Sequence, residues 1–442
     1  MDHVLASTFS DLWNPNGLWI VLTACATNCA CALVGCYLVL RRMSLMGDAL
    51  SHAVLPGLAV AFIFSGAYDI GPLMIGAVAA GLLSTFLIQT LHQYARVPSD
   101  ASMGVVFTGL FALGVVLIKK GIPPGVHFDI ACVYQGTLEF TPFYTVNLLG
   151  REVPRAFAIT GGVVLLNVAV VSALWKELKI SSFDPALATT MGFSATLLHY
   201  LLMALVAITA VASFEAVGSI LVVAMLIIPP ATAHLLADRL APMVLVSMLV
   251  AIAAAVLGYV FGTVLDTNIA GMITVAAAGL FGLAVLFAPQ HGVVSAMVRN
   301  FSASLSVVRG DLLAMLYRFE ELGSERLFTA SEAETVVGGG LLANLALGGL
   351  IRDGRIARKS GIVALAGDQL ELTPAGREAA RQLVRSHRLW ETYLVKQLGL
   401  PLDHVHEPAH RIEHFIGDEI REQLQQELDA TATDPHGREI PE

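Results

Sequence analysis

The sequence predicts an all-α polytopic membrane domain of about nine transmembrane helices, followed by a water-soluble domain. Of its 442 residues, 56% are hydrophobic and only 14% are charged, whereas a soluble domain is normally about 25% charged. The charge is also unevenly distributed, because residues 1–298 hold 10 Lys/Arg and 13 Asp/Glu, and residues 299–442 hold 16 and 22. We therefore place a domain boundary between Gln290 and Arg309, and each part is large enough to fold as its own unit.

Nine apolar stretches approach the length of about 20 residues that a membrane-spanning helix needs. The second is short, and little more than Phe214-Glu215 separates the sixth from the seventh, so a helix break or a re-entrant element would fit there. The stretches lie near 18–40, 50–66, 72–94, 103–118, 156–175, 195–213, 216–237, 242–262 and 268–288.

Basic residues in the short loops predict the orientation, because cytoplasmic loops carry an excess of Lys and Arg. Alternate loops hold Arg41-Arg42, Arg96, Lys176 with Lys179, Arg239 and Arg299. The N-terminal segment has acidic residues and no Lys or Arg, so we expect it outside and the C-terminal domain in the cytosol. Basic residues at both ends of segment 119–155 break the pattern, and we place that segment outside.

Ionisable residues inside a membrane domain are functional hypotheses by default. Asp48 and His52 are four residues apart, so on a helix they share one face. A carboxylate with an imidazole suits Mn2+, Zn2+ or Fe2+. The same spacing fits a buried Asp–His hydrogen bond equally well. Cysteines 25, 29, 31 and 36 share one apolar stretch, where we expect them to pack between helices.

A cytoplasmic loop at 182–192 is predicted to contain a short helix. Asp184 would cap it, Pro185 would occupy its first turn, and Gly192 would end it. The alternative is an ordinary connecting helix. Further on, residues 227–236 read as an apolar helix that Pro229-Pro230 distorts.

In order over most of residues 15–290, the chain resembles the permease subunits of bacterial manganese/zinc/iron-type ABC transporters. The match includes Leu38–Gly57, the Phe183–Gly192 loop and Ala216-Val217-Gly218 leading to Pro229. The resemblance implies a homodimeric permease in the bacterial inner membrane that receives metal from an external binding protein. A cytosolic ATPase would drive it by pressing on the loop helix. Asp48 and His52 match metal-contacting positions, and the coupling positions match Phe183, Asp184, Pro185, Ala188 and Gly192.

The chain is not expected to be an enzyme by itself. It has no Gly-x-x-x-x-Gly-Lys-Ser/Thr phosphate-binding loop. ATP hydrolysis therefore has to come from a partner subunit.

The first part of the soluble domain has a winged-helix layout. An amphipathic helix is predicted over 309–321, and a helix–turn–helix pattern over 329–349 with three glycines at 338–340. Short strands at 362–366 and 369–372 would form a wing around Gly367-Asp368. Thr373 and Pro374 would open a long helix that stops at Gly399.

Histidine and glutamate residues are concentrated in the last part of the chain. His387 and Glu391 are four apart on the predicted long helix, and His406 precedes a helix opened by Pro408. On that helix, three further residues share a face: His410, Glu413 and His414. These side chains suit Mn2+, Fe2+ or Zn2+, and their density disfavours a merely solvated helix face. Spacing does not decide between one metal site and two.

Residues 309–442 resemble the metal-dependent repressors of the diphtheria-toxin-repressor and manganese-transport-regulator family. The resemblance is carried by His387–Glu391, Val405–His414 and Asp434–Pro441. It implies a winged-helix domain at 299–376 and a helical metal-binding and dimerisation domain at 377–442, after the permease domain at 1–298. The implied ligands are His387, Glu391, His406, Glu413 and His414, with Asp311 at an N-terminal ligand position and His410 where the family varies its ligand.

The predicted recognition helix departs from a DNA-binding pattern. Residues 340–349 offer only Asn344 for reading bases, and the domain has a net charge of −6 (16 minus 22), so DNA binding is not expected. The leading hypothesis is a metal importer whose cytosolic domain senses metal. The alternatives are a membrane-tethered, metal-dependent transcription regulator and a domain that only strengthens permease dimerisation.

Overall fold

The structure, a computed structural model, describes residues 14–43, 46–66, 70–121, 138–148, 150–323, 329–359, 369–428 and 433–441. The chain divides into two compact units, Met1–Ser295 and Ala296–Glu442. Nearly all regular structure in both units is helical, and this confirms the predicted all-α fold class.

The first unit consists of helices and one small hairpin. A 3-10 helix, Leu138–Phe143, precedes the antiparallel strands β1 (Thr145–Leu148) and β2 (Arg151–Pro154). The helices are α1 (Pro15–Leu40), α2 (Met46–Ala53), α3 (Leu55–Ser65), α4 (Ile70–Tyr94), α5 (Ser99–Gly121), α6 (Arg155–Ala173), α7 (Trp175–Phe183), α8 (Pro185–Thr190), α9 (Ala195–Leu236), α10 (Leu240–Val264) and α11 (Ile269–Phe287).

Seven helices in the described part of the chain are long and apolar enough to cross a membrane. They differ from the nine predicted spans at two places, because the second and seventh stretches are shorter apolar helices, Leu55–Ser65 and Leu221–Leu236. The second stretch is short because the chain breaks between α2 and α3, just before Pro56, where proline suits a first helical turn.

Helix α9 has a break close to the position that the sequence indicated. The non-helical residue is Gly218, with φ 76° and ψ 164°, rather than Phe214-Glu215. Only glycine adopts such angles without steric cost. The backbone angles stay helical at Pro229 and Pro230, so the two prolines do not break the helix.

The core of the first unit forms around α1 and α9. Small residues line this contact, and Gly35 lies so close to the carbonyl of Leu226 that a Cβ atom would overlap it. Cys31 and Cys36 are fully buried, and the cysteines of α1 are free. They pack between helices as predicted, because close helix contacts in membranes favour small side chains.

The second unit begins with most of the long helix α12 (Val293–Glu321). The helix–turn–helix pattern forms α13 (Ala330–Val336) and α14 (Gly340–Arg352), and the Thr329 side chain and Glu332 make a capping box. The remaining elements are β3 (Ile356–Lys359), β4 (Gln369–Leu372), α15 (Pro374–Lys396), α16 (His406–Ile412) and α17 (Asp418–Glu427), with short 3-10 turns at Leu402–His404 and Glu413–Phe415.

Strand β4 pairs antiparallel with β3, residues 356–359. The predicted strand 362–366 and Gly367-Asp368 lie outside the described residues. One predicted boundary in this unit needs correction. The amphipathic helix predicted over 309–321 is the end of the longer α12. Thr373 caps α15 as expected, and the helix ends at Lys396, shortly before Gly399 with φ 65°.

Candidate metal centres

Four side chains from three segments converge in the second unit to form what we term the Asp311 cluster. It consists of Asp311 from α12, His410 from α16, and Glu413 and His414 from the following turn. Their ligand atoms all lie within 4.8 Å of one another. His414 Nε2 is 3.1 Å from Asp311 Oδ1, and His410 Nδ1 is 2.9 Å from Glu413 Oε1.

The Asp311 cluster fits a divalent cation. Among the described residues, two of its buried polar atoms, Asp311 Oδ1 and His414 Nε2, lack a hydrogen bond of normal geometry, although they lie 3.1 Å apart. Buried polar atoms are normally satisfied, so each exception needs an explanation. Two carboxylates and two imidazoles converging on one point are a donor set that Mn2+, Fe2+ and Zn2+ accept, and a shared cation would satisfy these atoms together.

A second group, the His406 cluster, contains His387 and Glu391 from α15 and His406 from the start of α16. Glu391 Oε1 lies 3.0 Å from His387 Nε2 and 2.9 Å from His406 Nδ1. The two ring nitrogens are 3.1 Å apart. His387 and Glu391 are buried, whereas the His406 side chain is 64% exposed, so this cluster is open on one side.

The electrostatics of both clusters hold the Glu391 and Glu413 carboxylates in their charged form, the form that binds a metal ion. Burial alone would raise the pKa of Glu391, but its bonds with His387 and His406 outweigh burial and lower that pKa to about 2. Burial likewise opposes ionisation of Glu413, but His387 and the other imidazoles lower its pKa. For His387, the Glu391 and Glu413 carboxylates outweigh burial and raise the pKa.

The two clusters meet at one contact between buried side chains. His387 turns its Nε2 to Glu391 and its Nδ1 to Glu413 Oε2, at 2.5 Å. The seven residues singled out in this part of the sequence therefore form two adjacent groups, which spacing alone did not decide. An imidazole that binds metal through one nitrogen commonly donates the other N–H to a carboxylate, and Glu413 is placed to accept it.

Arg388 is a residue to which sequence reasoning assigned no role. Its buried guanidinium donates to both carboxylate oxygens of Glu321, at 2.9 and 2.5 Å, and to the carbonyl of Glu439. Asp434, also buried, lies 3.7 Å away. Arg388 thus ties the end of α12 and the C-terminal segment to α15, next to His387. The sequence signal for this contact was the Asp434-Pro435-His436-Gly437 run, which is typical of a turn. In that turn the Asp434 carboxylate accepts a hydrogen bond from the N–H of His436.

In the first unit, Asp48 and His52 lie on one face of α2, as predicted. His52 Nε2 is 3.6 Å from Asp48 Oδ1, and both side chains are partly exposed. The His52 ring packs against Phe107 and Phe111 of α5, with centroid distances of 5.9 and 5.7 Å. The pair offers one carboxylate and one imidazole at a position bordered by aromatic rings.

The loop motif forms the short helix α8 that the sequence predicted. Asp184 Oδ1 accepts from the N–H groups of Ala186 and Leu187, and Pro185 opens the helix. Ala188 is buried, while Phe183 is 60% exposed. Gly192 follows with φ 89°. An exposed aromatic beside a capped, anchored helix is a surface suited to a partner protein.

The outer face of α14 is apolar. Leu341 is 73% exposed and Leu345 is 44% exposed. The Asn344 amide donates to the carbonyl of Gly340 in its own helix. Between Gly340 and Gly349, Asn344 is therefore the one side chain that can hydrogen-bond to base edges.

Comparison with known proteins gives two family matches. Residues 16–288 match the model of the ABC 3 transport family, and residues 373–442 match the iron dependent repressor, metal binding and dimerisation domain. The first match covers more than half of the chain.

Individual relatives agree with the first match. The manganese transport system membrane protein MntD of Bacillus subtilis is 44% identical over 64% of this chain and 96% of its own length. The zinc transport system membrane protein TroD of Treponema pallidum is 37% identical over 65% of this chain and 79% of its own. The solved structure of PsaBC from Streptococcus pneumoniae in complex with Fab superposes with a TM-score of 0.55 at 33% identity, covering 65% of this chain and 97% of that one.

Proposed function

This chain belongs to the ABC 3 transport family, and from that premise we propose that it is the permease subunit of an ATP-driven importer of divalent transition metals. Its cytosolic part senses the same class of metal. The proposed division is a permease domain at 1–298, a winged-helix-like domain at 299–376, and a metal-binding and dimerisation domain at 377–442.

The observation that carries the proposal is that both parts of one chain present donors for the same kind of ion. Asp48 and His52 in α2 are the proposed contacts of the transported metal. The Asp311 cluster and the His406 cluster are the proposed regulatory sites. Relatives named for manganese and zinc transport support those two cargoes, and Fe2+ is a third candidate because the same donors accept it.

The proposed assembly follows from what the chain lacks and from its family. A cytosolic ATPase contacts α8 and the exposed Phe183, because the sequence contains no phosphate-binding loop of its own. An external binding protein delivers the metal, and two permease copies form the pathway. The N-terminus lies outside and the C-terminal domain in the cytosol, as the loop charges indicate.

Regulation is proposed to act as feedback. A metal ion in the Asp311 cluster would connect α12, α16 and the following turn. If that binding changes transport at a distant site, the two sites are allosterically coupled. High cytosolic metal would thereby slow further import. The matching domain model, which describes metal binding and dimerisation, supports this role for the last 70 residues.

Transport under metal load tests the proposal. Proteoliposomes containing the permease and its ATPase would be preloaded with low or high internal Mn2+, and uptake of radioactive Mn2+ measured. We expect high internal metal to inhibit the wild type and to leave the His410→Ala/Glu413→Ala variant active. Glu407→Ala is the matched control, because Glu407 lies on α16 and pairs only with exposed Arg411 among its described contacts. Equal inhibition in both variants would contradict the sensor role.

Two alternatives make different predictions. A membrane-tethered transcription regulator requires metal-dependent, sequence-specific DNA binding, and the apolar outer face of α14 argues against it. A gel-shift experiment with the solubilised protein and its own promoter DNA would detect such a complex. A purely dimerising domain predicts that the ligand residues can be replaced without any effect on inhibition by metal.

A further inference from the structure

Arg41 connects the end of the first membrane helix to the segment that carries α8. The residue caps α1, and its guanidinium reaches two serines of α7. Its Nη2 donates to Ser181 Oγ at 2.8 Å, and its Nε donates to Ser182 Oγ at 3.1 Å. These contacts join residues that are 140 and 141 positions apart in the chain.

The contact joins the planar guanidinium of Arg41 to two buried serine hydroxyls. Ser181 and Ser182 are both buried. Among the described residues, no carboxylate forms an ion pair with Arg41, so the two hydroxyls hold the charged group. Arginine presents its donors in a rigid plane, whereas lysine is a flexible point charge that cannot make the same pair of bonds. The geometry therefore depends on arginine in particular.

On one side, the contact leads directly to α8. Asp184 ends α7, with its N–H bonded to the carbonyl of Ile180, and its side chain caps α8. A single residue, Asp184, lies between the last residue of α7 and the first residue of α8. A displacement of α8 must therefore move Ser181 and Ser182, or break the cap.

On the other side, the contact leads to α2. The Met43 N–H bonds to the carbonyl of Leu38 in the last turn of α1, and the Met46 N–H bonds to the carbonyl of Met43. Met46 is the first residue of α2, which contains Asp48 and His52. These two bonds link the residues next to Arg41 to the first residue of the helix that carries the proposed transport ligands.

We propose that Arg41 is the positioning residue that transmits movement of α8, pressed by the ATPase, to the metal-contacting helix α2. The inference rests on the proposed function, since it names how that function is coupled. Arg41 does not contact metal or nucleotide. It keeps α1, α7 and, through them, α2 and α8 in one mechanical unit.

The test measures metal transported per ATP hydrolysed by the full permease–ATPase complex in proteoliposomes. Arg41→Lys keeps the charge and loses the paired bonds, and Arg42→Lys is the matched control on the adjacent, exposed arginine. We expect Arg41→Lys to lower Mn2+ uptake about tenfold, the equivalent of one charged hydrogen bond. ATP hydrolysis, thermal stability and co-purification with the ATPase should stay near wild type, and so should every readout of Arg42→Lys.

A double-mutant cycle supplies the evidence that a coupling pathway requires. Ser181→Ala/Ser182→Ala should lower the transport ratio in the same way, and combining it with Arg41→Lys should add little, because one interaction is lost only once. Additive effects, an unchanged ratio, or a parallel fall of uptake, hydrolysis and complex stability would each overturn the coupling role. If the wild-type complex carries none of Mn2+, Zn2+ or Fe2+, the proposed function fails, and the inference fails with it.

Discussion

Replacing Glu413 with Gln removes a carboxylate that belongs to the Asp311 cluster and contacts His387 of the His406 cluster. Glu413 Oε1 lies 2.9 Å from His410 Nδ1 and 3.5 Å from His414 Nε2, while Oε2 faces His387. The Glu413 side chain is 1% exposed. Glutamine keeps the shape of the side chain but removes its charge, so the change tests electrostatics and ligation with little change in packing.

The expected effect on metal binding differs between the clusters. In the Asp311 cluster, Glu413 is proposed as a direct ligand. Because loss of an outer-shell partner already costs about 10–100-fold in affinity, loss of this ligand should weaken binding by more than about 100-fold. In the His406 cluster, Glu413 only orients His387 through Nδ1, so binding there should weaken by about tenfold.

The metal-free protein should also become less stable. A hydrogen bond to a charged group contributes about 1.5–3 kcal/mol, and His387 loses one of its two carboxylate partners. Breaking a buried pair that stays charged costs about 3–5 kcal/mol, but His387 can release its proton, so the smaller range applies.

Calorimetric titration of the detergent-solubilised full chain with Mn2+ and Zn2+ measures both affinities. Glu407→Gln is the control, since its side chain is 77% exposed and pairs with Arg411 on the same helix. Wild-type stoichiometry and affinity in Glu413→Gln would refute the assignment of this residue as a ligand. Equal weakening at both clusters would refute the distinction between ligand and orienting group.

Three further predictions follow from the packing and the transport site. Arg388→Met should lower the stability of the second unit by about 1.5–3 kcal/mol, because it removes the charged hydrogen bonds to Glu321 and to the carbonyl of Glu439; thermal unfolding measures this. Gly57→Ala should lower the thermal stability of the membrane part by about 1–3 kcal/mol, because a Cβ there would overlap the backbone of α4. Gly109→Ala is the control and should leave the stability unchanged, because the space around Gly109 is open. Asp48→Asn should reduce metal uptake at least about tenfold, with Asp100→Asn as the control, and equal uptake in both would exclude Asp48 from the transport path.

The sequence by itself determined the fold class and the types of residue in the candidate sites. Apolar stretches near 20 residues long have few stable arrangements in lipid other than helices, so the membrane part was predictable from composition. Local motifs were predictable for a similar reason. The cap formed by Asp184 and the helix start at Thr373 depend on residues within four positions, and local hydrogen bonds are encoded locally.

Boundaries were less predictable, because they depend on packing. The stretch near 216–237 reads as a separate span, but the break falls at Gly218, where only glycine tolerates the backbone angles. Strand β4 could pair with any suitable strand nearby, and in the structure its partner is residues 356–359. The pattern of hydrophobic residues limits the possible strand pairs and helix ends, but it does not select one of them.

Only the tertiary structure decided how distant groups meet. Spacing placed His387 with Glu391, and His410 with Glu413, but it could not show that seven residues form two clusters joined by His387 and Glu413. Nor could it show that Arg41, which served as an orientation signal and as part of the Leu38–Gly57 match, holds two serines about 140 positions away. Contacts at such separations arise from the packing of whole helices, and helical periodicity specifies only which face a residue occupies, not which face it will meet.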